Sequence, residues 1–170
     1  MNNSIPKLYQ LSNKVKYLIT TFLLVMITGV SVGLIYVMET TSFSMKGTSE
    51  HYAGSEIIDE LDIPEKYPKN FEGLLLTTHT HLISFAFIFL AMGLIFLMNS
   101  VITGVWKTII MIEPFFSVLG TFGSIWGIRY ISELFSVTTM IFGVLTYLTF
   151  YFMAGILLYE LLLKKNINLP

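Results

Sequence analysis

Four stretches of this chain run for more than twenty residues with almost no charge, and 170 residues cannot bury that much contiguous apolar length inside a water-soluble fold. Tyr17 to Met38 is uncharged for 22 residues, about 33 Å of helix at 1.5 Å per residue, enough to cross about 30 Å of hydrocarbon. Gly73 to Trp106 is uncharged throughout, Thr108 to Ile128 is broken only by Glu113, and Leu134 to Tyr159 carries no charge. A mean hydropathy of +0.72 and a charged fraction of 12% agree with a polytopic membrane protein. The formal net charge of −1 supplies no basic field for nucleic acid. Without cysteine there is no disulfide, thiolate metal site, iron–sulfur cluster or cysteine nucleophile.

The expected fold is all-α, an up-down-up-down bundle of four transmembrane helices with both termini cytoplasmic. The spans fall at 17–38, 73–98, 108–128 and 134–163. They are joined by an outer loop at 39–72, an inner loop at 99–107 and an outer turn at 129–133, with a cytoplasmic segment at 1–16 and a tail at 164–170. Lys7, Lys14, Lys16, Lys107, Lys164 and Lys165 all lie on one side, which the enrichment of basic residues in cytoplasmic flanks makes the inner one. The first stretch is too long for a signal-peptide core and lacks a cleavage site, so it reads as an uncleaved anchor in a bacterial inner membrane. In the outer loop, residues 50–56 read as a turn followed by a short helix through Ile58 and Leu61, and Pro64 and Pro68 stiffen the descent into the second span. Loops of that length are often functional.

Small residues mark where helices approach: Gly29 and Gly33, then Ala86, Ala91 and Gly93, then Gly120, Gly123 and Gly127. They serve packing within the chain or contact with another copy in a homo-oligomer. The pattern holds no heptad seam and no internal repeat.

All three histidines fall on the outer half: His51 in the loop, His79 and His81 near the start of the second span. Ionisable groups inside a span are functional candidates. Residues two apart on a helix point about 200° from each other, so His79 and His81 cannot share one metal on a regular helix. His81 shares a side with Thr77, Thr78 and Ser84 and is the better candidate for a polar bundle interior; His79 lines up with leucines. Three readings stay open. The imidazoles sit at headgroup level without a cofactor; or His81 and His79 ligate haem b, with His51 or Met38 as a further ligand and Arg129 beside the propionates; or His51, His79 and His81 bind a transition metal.

Glu113 precedes Pro114. Either the span starts near Lys107, placing Glu113 inside as a proton or structural site next to a proline kink, or it starts at Pro114 with proline at the first helical position. A membrane-embedded, near-interface Glu113 with a packing role is expected. Glu160 is expected to pair with Lys164 one turn later.

The stretches Thr78 to His81, Met111 to Phe116 and Leu119 to Gly123 resemble an uncharacterised bacterial family of small four-span membrane proteins, some of whose members carry the label "elongation factor". The resemblance implies a four-span fold over most of the chain, with His51, Tyr52 and Gly54, the paired histidines and Glu113-Pro114 as recurring elements. No phosphate-binding loop supports a translation role, and no catalytic motif supports independent enzymatic activity. The residues support two functional expectations: a small electron-transfer module holding haem b near the outer face, or a cofactor-free accessory or assembly subunit of a larger membrane or respiratory complex. A metal-binding protein of the outer face is a third.

Overall fold

The computed structural model describes residues 5–56 and 63–164. A short 3-10 turn at Leu8–Gln10 leads into α1 (Asn13–Thr41), followed by α2 (Met45–Ala53), α3 (Phe71–Leu97), α4 (Gly104–Tyr130) and α5 (Phe135–Leu162). All but α2 are long and apolar enough to cross a membrane, and no strand occurs among the described residues. The protein is a polytopic helical membrane protein.

The ends of these helices follow local chemistry. Asn70 caps α3 by accepting the Gly73 amide at 2.8 Å, and Ser44 caps α2 by accepting the Gly47 amide at 2.9 Å. α1 stops where Ser42 and Phe43 turn left-handed, at φ of 51° and 47°. α2 ends at Gly54, whose φ of 92° suits glycine. The helix of the long connection therefore lies before the Gly54 turn; the expected helix through Ile58 and Leu61 falls outside the described residues.

α4 runs antiparallel to both of its main neighbours. On α3, Thr78 meets Trp126 and Phe89 meets Phe115. On α5, Glu113 meets Thr149, Gly120 faces the Phe142 ring and Gly127 faces the Phe135 ring. These contacts step by seven residues along both helices, the spacing of an antiparallel knobs-into-holes seam. The seam escapes the sequence pattern because a glutamate and two glycines occupy positions where a heptad search looks for leucine. A Cβ at Gly120 or Gly127 would collide with the facing ring, so these glycines serve contact within the chain, whereas Gly29, Gly93 and Gly123 have open space beside them.

α1 leans on α5 and α2, with the Ser31 and Tyr151 hydroxyls 2.7 Å apart. The core is built from Leu23, Leu74, Phe89, Met92, Phe150 and Leu157. Most other apolar side chains of the spans face outward, as they must where the solvent is lipid.

Pro114 lies well inside α4, ten residues past its start, so proline does not occupy the first helical position. Glu113 sits roughly 13 Å along the helix axis from Gly104 at 1.5 Å per residue. Its carboxyl accepts hydrogen bonds from the Ser117 and Thr149 hydroxyls, the latter at 2.6 Å.

Candidate functional site

The polar chemistry gathers at the two ends of the bundle. At the end that carries α2, the connection is stapled down by backbone groups. The Ser55 amide donates to the Lys66 carbonyl at 2.9 Å, the Lys69 amide to the Tyr52 carbonyl at 3.1 Å, and Arg129 Nε to the Lys69 carbonyl at 2.8 Å. Lys66 Nζ donates to the Thr40 carbonyl at the end of α1. Arg129 thus anchors the approach to α3, with its guanidinium over the Tyr130 ring at 5.1 Å.

α2 lays Gly47, Thr48 and Ser49, three small buried residues, against its neighbours, which include α1, α4 and α5. That packing positions His51, half-buried and edge-on to Tyr52 with ring centroids 4.8 Å apart. Burial first, then the charges of Lys69 and Lys66, push the His51 imidazole down to about 4, so it is neutral near pH 7. Burial likewise pushes the Tyr52 phenol up to about 12, with Tyr36 and Tyr147 adding to it, and lowers the Lys69 ammonium.

His79 and His81 stand apart from this platform. His81 is exposed on the bundle surface, because Phe122, Trp126 and Thr78 already fill the α3–α4 interface. This corrects the expectation of a polar bundle interior around His81. Its Nδ1–H donates to the Thr77 carbonyl at 2.8 Å, which leaves Nε2 as a free acceptor, and its ring stacks on Phe122 with centroids 5.0 Å apart. His79 is exposed too, and so are Thr80 and Ser84. Among the described residues, His79, Thr80 and Ser84 form no side-chain hydrogen bond within the chain. Met38 is also exposed.

The described contacts join none of His51, His79 and His81 to another. No group of three or more His, Asp or Glu side chains able to hold a metal occurs among the described residues. A haem clamped between two imidazoles needs a second imidazole opposite His81 and a slot for the macrocycle. Phe122 occupies the near side of the ring, and no second transmembrane helix brings a histidine.

The opposite end carries a site that the sequence shows only as an expected Glu160–Lys164 pair. Glu160 is completely buried and accepts both the Ser100 amide and the Ser100 hydroxyl at 2.7 Å. Lys164 does not pair with it directly: Lys164 Nζ donates to Ser100 Oγ at 2.6 Å and lies over the Tyr9 ring. The physical reason is the depth of Glu160, which the α3–α4 turn covers with its own amide. Buried Asn99 caps the Val101 and Ile102 amides through Oδ1, and Lys107 Nζ closes the end of α3 on the Leu97 and Asn99 carbonyls. The available signal was an acid flanked on both sides by leucine-rich sequence, Leu157 to Leu163.

A family model described as a transmembrane helical domain matches residues 42–168, a segment that begins where α1 ends. No curated protein matches, and no solved structure matches.

Proposed function

We propose, since the chain belongs to this family of transmembrane helical domains, that it works as an accessory subunit that docks inside the bilayer against a larger membrane protein. One observation carries the reading: His79, Thr80, His81 and Ser84 are four hydrogen-bonding side chains exposed within two turns of a membrane span. A hydroxyl or imidazole without a partner in hydrocarbon costs about 1–3 kcal/mol, and interhelical hydrogen bonds are the usual remedy. Because the His81 Nδ1 proton is already committed to Thr77, the matching helix must donate to Nε2, as a hydroxyl, amide or indole would. The lysines at the other end support a location in the bacterial cytoplasmic membrane with both termini inside. Haem b or transition-metal ligation by His79, His81 and His51 finds no assembled donor set among the described residues.

The absence of native cysteine allows a direct test. A nitroxide on Thr80→Cys is expected to be immobilised and shielded from lipid-dissolved oxygen in native membranes, and to become mobile when the purified protein is reconstituted alone. A label equally mobile in both settings overturns the docking reading. A label immobilised in both makes the covering partner a second copy. A Soret band in the purified protein that disappears in His81→Ala would replace docking with the haem reading.

A further inference from the structure

At the lysine end the described chain sets Lys7, Lys14, Lys16, Lys107 and Lys164 against a single acid, Glu160, which is completely buried and engages Ser100 with both carboxyl oxygens. Lys14 is exposed, whereas the other four lysines are half-buried. The Leu8 amide donates to the Met98 carbonyl at 3.1 Å and fastens the 3-10 turn to the α3–α4 turn. Lys7 therefore adjoins the place where Lys107 Nζ donates to the Leu97 and Asn99 carbonyls. Lys16 Nζ donates to the Tyr9 carbonyl at 2.8 Å, and Lys164 Nζ lies over the ring of the same tyrosine while donating to Ser100 Oγ. Two short segments, 8–9 and 97–100, thus hold three ammonium groups in place.

Positive charge in a cytoplasmic flank directs insertion wherever its side chains point, so orientation alone does not require immobilised lysines. Ordering them costs rotamer freedom, and gathering them adds mutual repulsion. None of the four meets a carboxylate at ion-pair distance among the described residues. An ammonium carries three N–H donors, so Lys16 and Lys164 each keep two and Lys107 keeps one for a group from outside. An anion with several acceptor oxygens answers both the unused donors and the repulsion.

Aromatic rings set the depth of this platform. Tyr17 follows Lys16, Trp106 precedes Lys107 and Tyr159 lies about one helical turn before Lys164, and all three rings are exposed, as at the headgroup level of a bilayer. The ammonium groups are drawn back onto the chain at that level and do not reach out into water, which suits a lipid phosphate better than an acidic protein surface.

From this we propose that the lysine end binds the phosphate of an anionic phospholipid headgroup, with Lys16, Lys107 and Lys164 donating to its oxygens and Lys7 adding charge. The site is independent of the α3 face.

The test uses Trp106 as a local reporter, since Trp126→Phe leaves it as the one tryptophan. The purified full chain carrying that change is reconstituted in phosphatidylcholine and titrated with phosphatidylglycerol brominated near the headgroup, or with equally brominated phosphatidylcholine, while Trp106 fluorescence is quenched. Association beside Trp106 is expected to favour phosphatidylglycerol by at least about fivefold, the effect of one lysine close to anionic lipid. Lys164→Gln is expected to remove most of that preference with circular dichroism and elution volume unchanged, whereas Lys14→Gln, which deletes the same charge from an exposed position, leaves it intact. Equal association of the two lipids with the native lysines overturns the proposal. So does an equal fall in the two lysine variants, which would make the attraction a diffuse effect of net charge. Loss of the preference in excess inorganic phosphate at constant ionic strength would assign the same donors to a free phosphate ion and overturn the lipid.

Discussion

The two ends of the bundle solve the same problem by opposite means. At the lysine end a fully buried carboxyl, Glu160, draws the α3–α4 turn onto α5 and takes an amide and a hydroxyl from Ser100. At the histidine end the fastening is done by main-chain groups and by Arg129, while two of the three imidazoles stay on the surface. A charge-bearing group withdrawn from water holds structure firmly because losing it strands its partners. Exposed imidazoles hold little and are available for something else. The contrast teaches that the histidines, conspicuous in a membrane span, leave the fastening to other groups, whereas an unremarkable glutamate marks where the chain holds itself together.

The largest expected effect breaks the lysine end. Glu160→Ala leaves the Ser100 amide and hydroxyl without their acceptor and should cost about 3 kcal/mol, with Glu160→Gln costing about 1 kcal/mol. Thermal unfolding in detergent followed by circular dichroism reads both. Next comes the α3–α4 joint near the histidine end, where Trp126→Phe removes the 2.9 Å bond from the indole to Thr78 and keeps an aromatic ring. A loss of about 1 kcal/mol is expected in the same assay. Were this loss to match that of Glu160→Ala, the two ends would be equally dependent on side-chain bonds and the contrast would fail.

The smallest effect is a pH dependence confined to the histidine end. The unfolded chain takes up a proton on His51 below about 6.5, whereas the folded chain does so only near 4. Stability should therefore decline as pH falls from 6.5 toward 4, and His51→Phe should flatten that part of the profile. The charges of Lys69 and Lys66 act on the ring, Glu50 lies against Lys66 at 4.0 Å, and solvent screening at a half-buried site holds the effect below about 1 kcal/mol. An NMR titration that places His51 near 6.5 would show the platform to be looser than described.

The number and rough positions of the spans were legible because the cost of charge in hydrocarbon leaves a mark over twenty residues at a time. Features set by pairwise contact were not. α2 is short and polar, with Gly47, Thr48 and Ser49 as its buried face, so no hydrophobic period announces it. Glu160 reads as a helix-end acid with Lys164 one turn away, and only the fold of the α3–α4 turn reveals that Ser100 reaches it first. The histidines stand out as unusual residues for a span, yet their orientation depends on Phe122 and Trp126, residues on another helix that compete for the same interface.

Glu113 and Thr149 also decide how α4 and α5 slide against each other. Shifting α5 by one seven-residue step would present the Glu113 carboxyl to the face of Phe142, and the slot at Gly120 would receive Phe135. Only the native alignment puts a phenylalanine in both glycine slots, because the shift leaves Gly127 beyond the start of α5 at Phe135. The polar contact in the seam favours the same alignment, because a carboxyl set against an aromatic ring in hydrocarbon loses its Thr149 donor. The hairpin therefore works as a keyed joint, in which one threonine opposite one glutamate reinforces the alignment that the two ring-filled glycine slots already favour.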